Sequence, residues 1–334
     1  MAKYMDAAGI RALAESAKSY FAAIDDLAST NEIQERLTEI LMQNQETFDT
    51  MASLLQIMLG RTSAAKIYSL YQDPTAYNLT SSMGMAVAPP VPIEVATLSC
   101  KNSSGIQYFP EAYIPYVTTL ASAFSNAAQL KVVGNIYAGN CKSLAQAFYN
   151  AYRLLIVENI YAPECTDASY LFAGCSVLER IGRLDIGTPA TVAGMFKLCT
   201  ALKTVPEVDT SAATDLSYMF DGSAQIKRIE GISFKSAANI SSIFNQMGAN
   251  VEYAYLLDLG YTDVMPDLSA LTKWGTGKAE NLESLRYSLV ESSCDRAAAG
   301  LPNLTMRPSQ TSFALLSSED VARIIAKGYT IFPK

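Results

Sequence analysis

Ala168-Ser-Tyr-Leu-Phe-Ala-Gly-Cys-Ser-Val-Leu-Glu-Arg-Ile-Gly-Arg-Leu-Asp-Ile186 decides the fold, because its apolar positions recur 24 residues before and 24 residues after. Phe172 is one of six phenylalanines, Phe124, Phe148, Phe172, Phe196, Phe220 and Phe244, that keep this spacing without exception. Four residues ahead of each stand Leu120, Leu144, Ala168, Val192, Leu216 and Ile240. Behind each come three further columns: Leu130, Leu154, Leu178, Leu202 and Ile226; Val133, Val157, Ile181, Val205 and Ile229; Ile136, Ile160, Leu184, Val208 and Ile232. Only the sixth copy departs, with Asn250 in place of the Leu. Columns held in phase over so many copies define a repeat architecture in which like units stack.

Each unit divides in two. Thr214-Asp-Leu-Ser-Tyr-Met-Phe220 places apolar residues at i, i+3 and i+4 behind a capping residue and predicts a helical turn or short helix. Leu178 to Ile186 is short, rich in branched residues and bounded by Gly and Asp, and predicts a short strand with a turn. A single unit cannot bury its own apolar side, whereas a stack forms one continuous core lined by a parallel sheet. The expected fold class is therefore α/β: a solenoid of 24-residue repeats, short strand plus short helix, over 93–260. Cys100, 24 residues before Phe124, with Ile106 and Phe109 on the apolar columns, marks a degenerate opening repeat.

On either side the pattern changes. Ile10, Leu13, Ala14, Ala17, Tyr20, Phe21, Ile24 and Leu27 draw an apolar stripe at helical spacing. Leu37, Leu41, Asn44, Phe48, Met51, Leu55 and Met58 follow at heptad spacing, with one Asn in the seam. Residues 1–71 are thus expected to be a helical, coiled-coil segment that makes a homo-oligomer, a trimer; an intrachain helical hairpin is the other arrangement that fits. Asp73-Pro74 and Pro89-Pro90-Val-Pro92 bracket an expected linker over 72–92. After Gly260 the period fails, and 261–334 is expected to be a C-terminal helical cap, with helices at Asn281–Val290 and Ser318–Gly328.

With 334 residues, half of them apolar, the chain has material for a large core. A net charge of −7 gives no global attraction to nucleic acid. No window approaches the roughly 20 apolar residues of a membrane span, and Met-Ala-Lys-Tyr-Met-Asp-Ala-Ala-Gly has no secretory pattern. Cys141 and Cys165 share one repeat position and Cys175 and Cys199 another, which reads as small, half-polar residues stacked in the core.

Phe172-Ala-Gly-Cys175-Ser-Val-Leu178, Phe196-Lys-Leu-Cys199-Thr-Ala-Leu202 and Val208-Asp-Thr-Ser-Ala-Ala-Thr-Asp-Leu-Ser-Tyr-Met-Phe220 resemble the units of BspA-like leucine-rich-repeat proteins. The resemblance runs from about Ile106 to the C-terminus and includes the close Ala322-Arg-Ile-Ile-Ala-Lys-Gly-Tyr-Thr-Ile331. The start Met1-Ala-Lys-Tyr-Met-Asp-Ala-Ala-Gly-Ile10 is similar to tail-fibre and related virion proteins of gut phages. The resemblance implies a non-enzymatic protein of the virion, a phage tail fibre or receptor-binding protein that recognises a host cell-surface protein or glycan. Other virion proteins would be met through the N-terminal helices. Its alternatives are an exported adhesin at the bacterial cell surface and a purely structural virion connector.

The chemistry points the same way. The chain has no His, which removes the commonest general base and every imidazole metal site. It has no Cys-x-x-Cys pair and no glycine-rich phosphate loop, so no catalytic residue, metal or cofactor is expected. Two carboxylates suffice for a glycosidase, and Asp185 and Asp209 share a column, but both are expected only to face solvent. Outside the buried columns the residues vary: Lys131, Leu155, Glu179, Lys203 and Lys227 lie beside Val132, Ile156, Arg180, Thr204 and Arg228. Lys131, Leu155, Arg180, Lys203, Lys227 and Arg228, with Tyr137 and Tyr161, are the candidate binding residues. Tyr170 and Tyr218 stand on the helical side.

Overall fold

The computed structural model describes residues 75–79, 88, 91 and 93–334. The heptad positions Leu37, Leu41, Asn44, Phe48, Met51, Leu55 and Met58, and the oligomer they predict, lie outside the described residues.

Strand β1 (Ala76–Asn78) pairs in parallel with β2 (Thr97–Ser99). Tyr77, on its inward position, is buried edge-on to Phe109 with ring centroids 6.1 Å apart. Residues Ala76–Asn78 of the expected linker 72–92 therefore join the stack as a strand. Four coils follow, each with two strands of two residues: β3 (Tyr108–Phe109) and β4 (Ala112–Tyr113), β5 (Val132–Val133) and β6 (Ile136–Tyr137), β7 (Ile156–Val157) and β8 (Ile160–Tyr161), β9 (Arg180–Ile181) and β10 (Leu184–Asp185). They form two parallel sheets, ordered β3-β5-β7-β9 and β4-β6-β8-β10, where one was expected. Every pairing is offset by 24 residues, as in Val133↔Val157 and Ile136↔Ile160. A third sheet joins β11 (Thr204–Val205), β12 (Arg228–Ser233) and β13 (Tyr253–Leu257).

The short helix expected before each Phe is absent. In its place runs a succession of tight turns, in which Ala123, Ser125 and Ala127 N–H donate to the carbonyls of Leu120, Ser122 and Phe124, three residues back, at 3.0–3.1 Å. Every fourth residue turns left-handed: Ser122 and Asn126 in one coil, Gln146 and Asn150 in the next, then Tyr170 and Gly174, Gly194 and Leu198, Tyr218 and Gly222. That alternation aims the remaining N–H groups at the next coil. Ser122, Phe124 and Asn126 donate to the carbonyls of Ala145, Ala147 and Tyr149 at 2.9, 2.7 and 2.8 Å. Helical periodicity was read correctly, but a left-handed residue in each turn breaks the helix and exchanges i→i−4 bonds for bonds between coils.

Inside, the six phenylalanines form a single file. Successive rings from Phe124 to Phe244 lie 5.0, 5.3, 5.9, 6.0 and 6.0 Å apart and within 12° of parallel. The Leu and Val columns close over them, and Leu130, Leu154, Leu178, Leu202 and Ile226 are fully buried. In the sixth coil Val251 fills the place that Asn250 could not. The pairing shows why: Arg228 faces Tyr253, 25 residues on, while Ile232 faces Leu256, 24 residues on, so the coil carries one extra residue that a bulge takes back.

The last coil would leave β13 as an open edge. Helix α1 (Ala279–Arg286), continued by a π-helical turn at Tyr287–Glu291, lies against it and closes it with hydroxyls. Ala254, Leu256 and Asp258 N–H donate to the Oγ atoms of Ser284, Ser288 and Ser292 at 3.4, 2.9 and 2.9 Å. Trp274, fully buried, donates its indole N–H to Ala254 O at 3.1 Å. Lys327 places Nζ on the carbonyls of Val290, Glu291 and Ser293, where the turn runs out of internal donors. Helices α2 (Gln310–Ala314) and α3 (Ser318–Ala326) and the parallel pair β14 (Leu304–Met306) and β15 (Tyr329–Ile331) complete the region. Helix α3 starts in a capping box of Ser317 and Asp320, and Asp320 is also held by Arg286 at 2.8 Å.

Candidate binding face

Alternation along such short strands sorts each pair of residues simply. Val133, Val157, Ile181, Val205 and Ile229 point inward, so the residues just before them point out. On this first outward line Arg180 is exposed, and of the residues that lead into the strands Lys131 and Leu155 are half-buried, while Glu179, Lys203 and Lys227 are exposed. The cations are not equivalent. Arg180 is paired with Glu158 at 2.5 Å. Arg228 is paired with Glu230 at 2.6 Å and lies 3.5 Å from the centre of the Tyr253 ring. The hydrogen bond that Arg228 donates to Glu230 holds the guanidinium above its ordinary range against a smaller opposing effect of burial. Arg228 thus serves the sheet's own edge. Lys131, Lys203 and Lys227 form no ion pair among the described residues.

The second outward line is aromatic. Tyr137 and Tyr161 face each other across β6 and β8, and Tyr113 faces Tyr137 across β4 and β6, giving three exposed rings one strand spacing apart. Tyr113 is the most exposed of the three, at 59%, and was not among the expected binding residues. Its signal lay in the sequence, 24 residues before Tyr137, inside the repeat read as degenerate. Beside the rings runs an amide ladder: Asn135 Nδ2 donates to Glu111 Oε2 and Asn159 Nδ2 to Asn135 Oδ1, both at 2.7 Å. Arg183 N–H continues it onto Asn159 Oδ1 at 2.8 Å, and its side chain pairs with Asp185 at 3.3 Å.

Tyr170 and Tyr218 stand apart from both lines, on the turn side, each with positive φ. Lys197 packs 4.7 Å from the Tyr218 ring centre and pairs with Asp221 at 2.8 Å. Asp185 and Asp209 are engaged within their own coils, Asp185 with Arg183 and Asp209 as acceptor for Ser211 N–H at 2.9 Å. Strand β10 has no partner strand at Val208–Asp209, so nothing joins the two carboxylates as rungs of one ladder. Among the described residues no group of three or more Cys, Asp or Glu is placed to hold a metal ion, and no helix is long and apolar enough to cross a membrane. Comparison with family models, with curated proteins and with solved structures finds no match to this chain.

Proposed function

We propose that the chain is a non-enzymatic binding protein, a leucine-rich-repeat solenoid of the BspA-like kind, that acts as a phage tail-fibre or receptor-binding virion protein and recognises a host-cell surface. One contrast carries this reading. The buried columns repeat with little change, while the outward residues at matched positions run through Lys, Leu, Glu, Lys and Lys on one line and Tyr, Tyr, Tyr and Asp on the other. A frame kept constant under a face that varies suits recognition, and Tyr brings large contact area with a polar tip. The N-terminal segment supplies attachment to other virion proteins and a trimer, whose several weak sites add avidity without new contacts.

Purified full chain titrated onto intact gut bacteria tests this. Saturable binding that falls on combined Tyr113→Ser, Tyr137→Ser and Tyr161→Ser substitution, or on Lys203→Gln with Lys227→Gln, supports recognition through the face. Absence of saturable binding across a broad set of strains overturns it in favour of a structural connector.

A further inference from the structure

Along the first strand line, neighbouring coils are joined by a repeated three-centre bond in which two consecutive N–H groups share one carbonyl of the preceding coil. Lys131 and Val132 donate to Gln107 O, Leu155 and Ile156 to Lys131 O, Glu179 and Arg180 to Leu155 O, Lys227 and Arg228 to Lys203 O, and Glu252 and Tyr253 to Lys227 O, all at 2.7–3.2 Å. Among the described residues one junction lacks it. Lys203 and Thr204 N–H make no bond to Glu179 O, and β9 and β11 belong to different sheets. On the turn side the same two coils stay joined, with Phe172 N–H donating to Met195 O at 2.9 Å.

Pro206 removes a further bond at this junction. At its position in the three preceding coils, Gly134, Glu158 and Gly182 donate N–H to the carbonyls of Phe109, Val133 and Val157 at 2.9, 3.0 and 2.9 Å. Proline has no N–H to give to Ile181. The strands part there into an open depression of ≈ 340 Å³ lined by Glu179, Arg180, Ile181, Lys203, Thr204 and Pro206.

The unmet groups define what fits. Two N–H donors, from Lys203 and Thr204, and two carbonyl acceptors, from Glu179 and Ile181, are left without the bonds that their counterparts make in neighbouring coils. A hydroxyl accepts from an N–H and donates to a carbonyl at once; a carboxylate cannot donate and an ammonium cannot accept. Around them the charges cancel: Arg180 is paired with Glu158, leaving the exposed Lys203 and Glu179 side chains as one cation and one anion. Ile181 and Pro206 add an apolar floor for a C–H face. We propose that the missing rung between these coils is a subsite for a neutral saccharide, whose ring hydroxyls take the place of the absent backbone bond. This rests on the binding function proposed above and narrows its ligand from protein or glycan to glycan. A hydroxyl can reproduce the bonds of any water it displaces there, which is the condition for such a displacement not to lose affinity.

The test is saturation-transfer NMR and titration of the full chain with a panel of neutral trisaccharides built on glucose, galactose, mannose and N-acetylglucosamine, with trigalacturonate and trialanine as comparisons. At least one neutral sugar is expected to saturate, with little dependence on salt. Pro206→Ala restores the N–H and is expected to close the rung; Glu179→Ala with Lys203→Ala removes the flanking side chains and leaves the backbone alone. Each is expected to weaken binding roughly tenfold, the loss of about one hydrogen bond. No binding by any neutral sugar, binding confined to trigalacturonate or trialanine, or sugar binding indifferent to both variants overturns the subsite. A chain that ignores the panel yet binds cells saturably overturns the subsite alone; one that binds the sugar at the gap and no cells overturns the receptor-binding role alone.

Discussion

Replacing Ser288 by Ala removes the hydroxyl at the centre of the seal over β13. Leu256 N–H, donating to Ser288 Oγ at 2.9 Å in a fully buried position, is left without a partner, and water cannot reach it. An orphaned buried donor costs about 1–3 kcal/mol. Ala regains roughly 0.5 kcal/mol through better helix propensity, so the expected net loss is about 1–2 kcal/mol. Ser293→Ala is the internal control: it is also buried and in the same region, but its Oγ donates only to Leu289 O at 2.8 Å and accepts no β13 amide. Its expected cost is within about 0.5 kcal/mol of zero, since Leu289 O has only lost a back-bonding hydroxyl. Urea unfolding compares the two variants, and hydrogen exchange at the Leu256 amide locates the effect. Equal destabilisation by the two substitutions, or unchanged exchange at Leu256 in Ser288→Ala, would refute the claim that the serine ladder closes the open edge.

Phe172→Ala removes a buried ring between neighbours at 5.3 and 5.9 Å and is expected to cost about 3–5 kcal/mol by urea unfolding; a loss under 1 kcal/mol would mean that the file of rings carries little. Asp320 is buried, which by itself raises its pKa, but the hydrogen bonds from Arg286 and Ser317 outweigh burial and hold the carboxyl below its ordinary range. A depressed folded pKa gives stability that is present above the unfolded value of about 4 and lost as pH falls through the folded one. Asp320→Asn should therefore be less stable than the parent at pH 7, with the difference shrinking below about pH 4 in acid-dependent melting; a constant difference would count against the ion pair. Gly194, at φ +59, sits against the Tyr170 ring, so a Cβ there meets both a strained backbone and the ring; Gly194→Ala is expected to lower stability by about 1–3 kcal/mol, more than Ala at open Gly139. Cys199 donates Sγ to Phe172 O at 3.2 Å and is fully buried, which pushes its thiol far above the usual range. It should resist iodoacetamide in the folded chain, and Cys199→Ser should cost less than Cys199→Val, which leaves the carbonyl unmet.

The columns that could be read in advance were those set by burial. The Phe file, the Leu column and the inward Val and Ile positions all lie where a 24-residue period puts them, because an apolar residue in a stack has one favourable place. What the period could not reveal was backbone handedness. Ser122, Gln146, Tyr170 and Tyr218 are ordinary residues in left-handed turns, and only the recurrent Gly or Asn at Asn126, Asn150, Gly174, Gly194 and Gly222 hinted at it. Spacing at i, i+3 and i+4 is satisfied by a run of three-residue turns as well as by a helix, so the helix was the wrong choice between two structures with one pattern. Among the candidate binding residues, outward placement was legible for Lys203, Lys227, Tyr137 and Tyr161, whereas the engagement of Arg180 and Arg228 with neighbouring carboxylates was not, because it depends on which side chains adjacent coils bring within reach.

The two sides of each coil answer different requirements. On the turn side alternate N–H groups bond to the next coil while the others close the turns, and even side chains are drafted in: Cys175, Cys199 and Ser223, one column at successive coils, donate to the carbonyls of Phe148, Phe172 and Phe196. Cys and Ser are interchangeable there because what the position needs is a small donor beneath a ring. A fault on this side would break the file of rings, so the Phe column does not vary, although Ser122, Gln146, Tyr170, Gly194 and Tyr218 differ at one matched turn position. The strand side has ladders of only two residues per rung, so omitting one, as between β9 and β11, leaves the coils held by their turns and core. Open donors and the row Tyr113, Tyr137 and Tyr161 therefore lie on the side where the frame can spare them, which is where a surface for recognition costs least stability.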